Sequence, residues 1–224
     1  MSSLENETLA EQSQPRAIAR DQARETFGRT MGLVAMTVGV CAFGAWVGQD
    51  LSFGWSIAFW LGGFGALPGL SFTRGKSHTV ALTLLFAVGA LLGLAIGPTV
   101  EAYADAFGAS VVAQAAGATA LFIAGFGAAG YATRRDLAPL ARIAFFALLG
   151  LIASGIVAIF VSIPAGNLIW CIAGLAIFAV FTMYDFQRLK TAHPDDSVYL
   201  AASIFVDVLN VFLLMLQLLG LSRD

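Results

Sequence analysis

The chain has 224 residues, of which 58% are hydrophobic and only 12% are charged. A soluble domain carries about 25% charged residues, so this composition excludes an ordinary soluble protein and predicts a polytopic membrane protein. The formal net charge of −2 leaves no basic surface for nucleic acid, and we expect no nucleic-acid partner.

The first 29 residues form the only long polar stretch of the chain. They contain no apolar core of the kind found in cleaved signal peptides, so we expect the first membrane helix to act as the targeting signal. The sequence therefore predicts a cytoplasmic N-terminal tail over residues 1–29 and a single seven-helix membrane domain over residues 30–224.

Seven apolar runs follow the tail, and short polar or glycine-containing connections join them. A helix needs about 20 mainly apolar residues to cross a bilayer, so these runs predict an all-α integral membrane protein. The last run is apolar on nearly every side, and we expect it to be the most enclosed helix. The predicted spans are residues 31–48, 55–72, 79–96, 110–132, 140–163, 168–184 and 198–220.

Two of the predicted spans carry ridges of glycine. Small residues at such spacing allow neighbouring helices to approach closely, which predicts a compact bundle. The ridges are Gly89, Gly93 and Gly97 on span 3, and Gly125, Gly127 and Gly130 on span 4.

Basic residues occur in alternate connections of the chain. The first, third and fifth connections contain no Lys or Arg, whereas the tail and the other connections do. The positive-inside rule then predicts a cytoplasmic N-terminus, and the odd number of spans puts the C-terminus outside. The basic set consists of Arg16, Arg20, Arg24, Arg29, Arg74, Lys76, Arg134, Arg135, Arg188 and Lys190.

The sequence carries no recognisable catalytic or metal-binding motif. Cys41 and Cys171 lie within apolar runs and predict neither a disulfide nor a zinc site. His78 and His193 lie in connections, far from any other residue at ligand spacing. Serine hydrolase, zinc protease, Walker and Rossmann patterns are all missing from the sequence. We therefore expect no enzymatic activity, no catalytic residue and no tightly bound cofactor.

Two aspartates interrupt the last two apolar spans. Asp185 follows span 6 directly, and Asp207 lies about nine residues, or about 14 Å, into span 7. An ionised carboxylate at membrane depth costs on the order of 2.5–3.5 kcal/mol even on insertion scales, and such residues mark functional sites. Both residues fall in the predicted cytoplasmic half of consecutive antiparallel helices. We therefore expect their carboxyl oxygens to meet within about 2.5–3.0 Å.

Two carboxyl groups in contact cannot both ionise cheaply, so they would share a proton and titrate as a pair. Asp185 and Asp207 are therefore predicted to form a pH sensor and ion gate. Their hard oxygen atoms also make them a candidate Ca²⁺ site, at which protons and cations compete. Asn210 and Arg188, each one turn from one of the aspartates, are supporting polar residues, and Arg74 at the end of span 2 is the candidate counter-charge.

Simpler interpretations of these residues remain open. Asp185 is also explained as an interfacial residue that pairs with Arg188 one turn later. Asp207 is also explained as a protonated partner in an interhelical hydrogen bond. Arg74 is also explained as a positive-inside marker.

The sequence around both aspartates resembles the end of Bax inhibitor-1-like membrane proteins. That family typically shows Tyr-Asp-x-x-x-Ile/Leu, followed by Leu-Asp-x-x-Asn-x-Phe-x-x-x-Leu-x-x-x-Gly. Here residues 184–189 read Tyr-Asp-Phe-Gln-Arg-Leu, and residues 206–220 read Val-Asp-Val-Leu-Asn-Val-Phe-Leu-Leu-Met-Leu-Gln-Leu-Leu-Gly. Val206 replaces the usual Leu before the second aspartate.

The resemblance implies six helices packed around a central seventh. For bacterial members it implies a pH-dependent calcium leak in the cell (inner) membrane, with the lipid bilayer, calcium ions and protons as partners. It further implies that Asp185 and Asp207 form a hydrogen-bonded pair and that an arginine on span 2, at the position of Arg74, latches the closed state.

Two other functions are consistent with the sequence. Some bacterial relatives restrain a membrane protease, so the chain would then act by protein contact without conducting ions, using the N-terminal tail. A proton-coupled transporter would also use intramembrane acids. Transporters often show two repeated halves, and the seven spans show no such repeat, which disfavours this third reading.

Overall fold

The computed structural model describes residues 3–73, 77–158 and 166–223, and for residues 3–20, 158 and 166 it describes the backbone alone. Arg74, the predicted latch, lies outside the described residues. The elements are α1 (Ser3–Val47), α2 (Phe53–Phe72), α3 (His78–Phe107), α4 (Ala109–Ala132), α5 (Ala138–Ala158), α6 (Gly166–Leu189), a short 3-10 helix η1 (Pro194–Asp196) and α7 (Ser197–Leu221).

Each of these seven α-helices contains a stretch that is long and apolar enough to cross a membrane. No strand occurs in the part of the chain that the structure describes. The prediction of an all-α membrane protein with seven spans is therefore confirmed.

Two helix boundaries differ from those predicted by more than ten residues. α1 begins at Ser3, so the predicted tail and the first span form one continuous helix. α3 continues beyond residue 96 through Pro98 to Phe107, because neighbouring helices in a bundle help satisfy the backbone groups that a proline frees. Gly108 alone connects α3 to α4, and its φ of +86° is a conformation that residues with a Cβ rarely adopt.

The glycine ridge of span 3 forms the close contact between α1 and α3. A Cβ added to Gly93 would lie 2.2 Å from the carbonyl oxygen of Cys41, and one added to Gly97 would lie 2.6 Å from that of Ala45. Gly89 packs against Thr37 in the same way. The predicted close approach of helices is therefore confirmed at all three glycines.

The second ridge packs α4 against α6, but only in part. A Cβ on Gly130 would lie 2.0 Å from the carbonyl oxygen of Met183, and one on Gly127 would meet the Phe186 ring at 2.9 Å. Gly125 faces open space and takes no part in the contact. Two of the three predicted glycines therefore bring these helices together.

α7 is the central helix of the bundle. It contacts α1, α2, α3, α4 and α6, while α5 contacts α6 alone among the described elements. α7 is also the most enclosed of the described helices, as predicted, because 13 of its 25 residues are buried and none is exposed. In α3, 9 of 30 residues are buried and both ends carry exposed residues. Within its most apolar stretch α3 is about as buried as α7, because the glycine ridge lets α1 cover it without intervening side chains.

Side-chain contacts draw the connecting loops together at one end of the bundle, which we call the basic end. This end comprises Arg29 on α1, the start of α3, the α4–α5 loop 133–137 and the α6–α7 loop 190–193. Arg29 Nη2 hydrogen-bonds His78 Nε2, and Lys190 Nζ donates to the carbonyl oxygen of Thr133 at 3.4 Å. At the opposite end, Arg223 donates to the carbonyl oxygen of Phe107 and to Gln114 Oε1, both at 2.9 Å.

Candidate functional site

Asp185 and Asp207 lie on the neighbouring antiparallel helices α6 and α7. Each residue is 4% exposed, although both are carboxylic acids surrounded by apolar sequence. Asp185 stands in the last turns of α6, near the basic end, and Asp207 lies deeper, in the middle of α7. Buried carboxyl groups need partners that replace water, so their hydrogen bonds define the site.

The Asp185 carboxylate has two partners. Its Oδ1 accepts from Arg188 Nη1 at 3.3 Å, and its Oδ2 accepts a hydrogen bond from Ser203 Oγ. The Arg188 side chain is 40% exposed and also lies over the ring of Tyr184, 5.6 Å from its centroid. The pairing with Arg188, one of the two interpretations of Asp185, is therefore present in the structure.

The Asp207 carboxyl group is poorly satisfied by comparison. Its Oδ2 is buried and has no hydrogen-bond partner among the described residues, and the hydroxyl of Thr182 shares this property. On α6, the Asp185 carboxyl and the Thr182 hydroxyl are the neighbours of the Asp207 carboxyl group. Asp207 thus has a hydroxyl and a second carboxyl nearby but no basic partner among the described residues.

The two carboxyl groups do not form the direct hydrogen bond that was expected. The physical reason is the register of the helix pair. Residues at the same height on two antiparallel helices have a nearly constant sum of residue numbers. Ser203 therefore lies at the height of Asp185, and Thr182 lies at the height of Asp207. Because Asp207 lies four residues beyond Ser203 on α7, the two aspartates are offset by about 6 Å along the helix axis. Ser203 hydrogen-bonds Asp185 instead, and the Thr182 hydroxyl lies beside Asp207 without a hydrogen bond to any described residue.

Both aspartates line a cavity of about 1030 Å³ between α2, α5, α6 and α7, with a contribution from α3. Four polar residues of α7 line it at intervals of four, three and seven residues: Ser203, Asp207, Asn210 and Gln217. This spacing puts them on one face of the helix. They form a polar stripe about 21 Å long from Ser203 to Gln217, which Leu213 and Leu214 interrupt between Asn210 and Gln217.

The predicted supporting residues lie on this cavity as well. Asn210 Nδ2 donates to the carbonyl oxygen of Val206 at 2.8 Å, while the residue itself lines the cavity beside Asp207. Arg188 lines the cavity near its basic end, together with Arg142 of α5. Arg142 was not singled out in the sequence, because it resembles any other basic residue near a helix end.

The sequence also gave no role to Ser203, Thr182 or Gln217. For the α7 residues a signal existed, because Ser203, Asp207, Asn210 and Gln217 share one helical face. Thr182 stands one turn before Asp185, which was a weaker signal because threonine is common in membrane helices.

Gln187 holds the α4–α5 loop against the end of α6. Its Oε1 accepts from the backbone N–H of Leu137 at 2.9 Å, and its Nε2 donates to the carbonyl oxygen of Arg135 at 2.6 Å. These bonds fix the start of α5, which forms one wall of the cavity. Gln187 thus positions the cavity wall without touching the aspartates.

Comparison with known proteins adds to this geometry. Residues 23–224 match the model of a family described as "Inhibitor of apoptosis-promoting Bax1". A Pseudomonas aeruginosa protein is 29% identical over 226 aligned positions, which cover 97% of this chain and 95% of the relative. A Helicobacter pylori protein is 26% identical over 166 positions, covering 74% and 72%. The inner membrane protein YbhL of Escherichia coli is 30% identical over 158 positions, covering 63% and 64%.

The family match covers both aspartates, the polar stripe and all seven membrane-crossing stretches except the first two residues of the first. The chain is a multi-pass membrane protein that belongs to the Bax inhibitor-1-like family.

Proposed function

We propose that the protein is a pH-sensitive calcium leak channel, in which Asp185 and Asp207 sense protons and control the passage of the ion. The observation that supports this most directly is the polar stripe of α7, which lies with both carboxyl groups on one cavity inside an otherwise apolar bundle. Intramembrane acids that face a cavity are typical of ion and proton pathways.

The oxygen atoms along the cavity suit a hard cation in transit. Ca²⁺ prefers six to eight oxygen ligands, and the described residues contain no cluster of three or more His, Cys, Asp and Glu side chains. Two carboxyl groups with the hydroxyls of Ser203 and Thr182 would attract calcium without trapping it. Permeation needs binding that is weak enough for the ion to leave.

The proton response follows from the charges of the site. Arg188 compensates Asp185, so protonation of Asp185 would release the Arg188 side chain from the cavity mouth. Protonation of Asp207 would instead remove the charge that attracts a cation deeper in the bundle. Because the two carboxyl groups interact, their protonation is a property of the pair. The latch role of Arg74 stays a prediction.

Calcium flux into liposomes that contain only the purified protein tests this proposal. We expect Asp207→Asn and Asp185→Asn to lose most of the pH dependence of the flux. Asp195→Asn is the matched control, because Asp195 is an exposed carboxylate in η1, outside the cavity. If both cavity variants keep the pH profile of the Asp195→Asn protein, the sensor proposal is wrong.

Protein contact is the second candidate function, namely the restraint of a membrane protease without ion conduction. The observation that favours it is α1, whose backbone begins at Ser3, well before the apolar run that follows Arg29. Residues 3–20 therefore extend this helix by about 27 Å. Deletion of residues 1–20 separates the two functions: a channel keeps its flux, whereas an inhibitor that uses the tail loses its effect on the protease.

By the positive-inside rule we further propose a cytoplasmic N-terminus. The basic end of the bundle would then face the cytoplasm. A bacterial inner membrane is the proposed location, in keeping with the name of the Escherichia coli relative.

A further inference from the structure

Two acids and two bases, Arg142 and Arg188, line the cavity, but neither base pairs with Asp207. Asp185 has a basic partner in Arg188 and a hydroxyl donor in Ser203. Asp207 lines the same cavity, is 4% exposed, and has a buried oxygen without a hydrogen-bond partner among the described residues. A buried charged group needs a partner of opposite charge. When both aspartates are ionised, one positive charge is therefore missing at the depth of Asp207.

The cavity opens sideways between α2 and α5. The backbones of these two helices do not approach each other closely within the described ranges, although both helices line the cavity. Both also carry exposed apolar side chains, such as Leu61 and Phe72 on α2 and Ile143 and Phe146 on α5. Helices of this kind border lipid, so the opening leads to the hydrocarbon of the bilayer.

The cavity wall is aromatic and aliphatic apart from the polar stripe and from Ser71, Thr99, Arg142, Asp185 and Arg188. Trp60 stacks on Phe64, with ring centroids 5.1 Å apart and an interplanar angle of 5°, and Trp170, Phe178 and Phe181 line the wall formed by α6. Pockets for small organic molecules occupy about 300–1,000 Å³ and combine an apolar lining with a few polar groups. The volume of about 1030 Å³ belongs to this class.

We propose that this cavity is a binding site for a lipophilic monovalent ammonium ion that enters from the bilayer. The ammonium group donates hydrogen bonds to the Asp207 carboxylate, and the hydrocarbon chain lies along the aromatic wall toward the gap between α2 and α5. A primary ammonium matches the surroundings of Asp207, since it supplies one positive charge and the hydrogen-bond donors that the Asp207 oxygen lacks. This site goes beyond the proposed function, because it requires the carboxylate and the cavity but no ion conduction.

Tryptophan fluorescence can test the proposal at the cavity itself. Trp60 and Trp170 line the cavity, whereas Trp46 lines a different groove and Trp55 is 62% exposed. Replacing Trp46 and Trp55 with Phe leaves two reporters in the cavity. The probe is 11,12-dibromododecylammonium, whose bromine atoms quench nearby tryptophans, added to the protein in lipid nanodiscs. The alcohol and the sulfate with the same brominated chain are the controls for the head group.

We expect saturable quenching by the ammonium probe, with half-saturation at about a tenfold lower concentration than for the alcohol. A hydrogen bond to a charged group gives about this factor. Asp207→Asn should bring the ammonium probe to the half-saturation of the alcohol, while Asp195→Asn should leave it unchanged. Equal half-saturation for the ammonium and the alcohol in the protein that retains Asp207 would overturn the proposal, and this comparison needs no Asp207 variant to fold.

Two other outcomes would also overturn it. Tighter binding of the sulfate would point to an anionic head group at Arg142 and Arg188. An unchanged preference for the ammonium in Asp207→Asn would place the charge elsewhere. Quenching is measured without any flux, so a protein that binds the probe but does not leak calcium would refute only the channel. A protein that leaks calcium but does not bind the probe would refute only this site.

Discussion

Asp185 and Asp207 carry the same functional group in different surroundings. Asp185 has Arg188 and Ser203 as partners, and the guanidinium is 40% exposed. Asp207 lies deeper and has only the neighbouring carboxyl group and the Thr182 hydroxyl. The same acid is therefore held in place at one position and left available at the other, which suits a pair that both responds to protons and attracts a cation.

Ser203 provides the first prediction at this scale. Ser203→Ala removes the hydroxyl that bonds Asp185 Oδ2 and leaves that oxygen buried without a donor. Hydrogen bonds between membrane helices contribute about 0.6 kcal/mol on average and up to about 1.7 kcal/mol. We expect a loss near the upper value, because the acceptor is a carboxylate. Reversible unfolding in detergent measures it.

Ser222→Ala is the control for this variant, since Ser222 Oγ donates to the carbonyl oxygen of Leu219 in an exposed turn. It should change the free energy of unfolding by less than about 0.5 kcal/mol. Equal effects of the two substitutions would show that the Ser203–Asp185 bond does not join α6 to α7.

The individual helices associate through backbone contacts rather than through large side chains. α1 and α3 meet along Gly89, Gly93 and Gly97, and α4 meets α6 at Gly127 and Gly130. Lipid chains are as apolar as leucine side chains, so close van der Waals packing stabilises such helix pairs. The site depends on this packing, because α4 contacts both helices that carry the aspartates.

Gly93 and Gly125 form a matched pair for the second prediction. A Cβ on Gly93 would lie 2.2 Å from the Cys41 carbonyl oxygen, which belongs to rigid helix backbone, whereas a Cβ on Gly125 would meet nothing within 4 Å. Gly93→Ala should destabilise the protein by about 1–3 kcal/mol through overpacking. Gly125→Ala should be neutral or stabilising by up to about 1 kcal/mol, because alanine favours helix. Thermal unfolding of both variants measures the difference, and similar midpoints would contradict the close contact.

The bundle as a whole is open on two sides. The aspartate cavity opens between α2 and α5, and an apolar groove of about 1250 Å³ opens between α1 and α4. The backbones of the two helices that flank each opening do not approach each other closely within the described part of the chain. Side chains still bridge the second groove, where the rings of Phe27 on α1 and Tyr131 on α4 pack edge to face with centroids 5.9 Å apart. Both grooves reach α7, yet none of its residues is exposed, because it has the most neighbouring helices.

The third prediction concerns access of lipid to the helices. Only 11% of the most apolar stretch of α5 is buried inside the bundle, compared with 44% in α7. A lipid-soluble carbene photoprobe in nanodiscs should label α5 several times more heavily per residue than α7, as measured by mass spectrometry. Labelling of the denatured protein corrects for side-chain reactivity, and equal corrected labelling would be inconsistent with a central α7.

The sequence by itself determined the seven spans, the fold class and the family pattern around Asp185 and Asp207. It did so because a bilayer imposes a local requirement of about 20 apolar residues per helix, and an acid within such a run is conspicuous at once. The glycine spacing likewise indicated close packing, although it did not indicate that Gly125 faces open space.

Only the tertiary structure decided which groups meet inside the bundle. The register of α6 against α7 places Ser203 beside Asp185 and Thr182 beside Asp207. A shift by one turn would have paired the two acids directly. Register depends on side-chain packing and on the geometry of the loop around Pro194–Asp196, neither of which leaves a periodic signal in the sequence. The separation of α2 from α5 was equally hidden, because lipid-facing and cavity-facing apolar residues have the same composition.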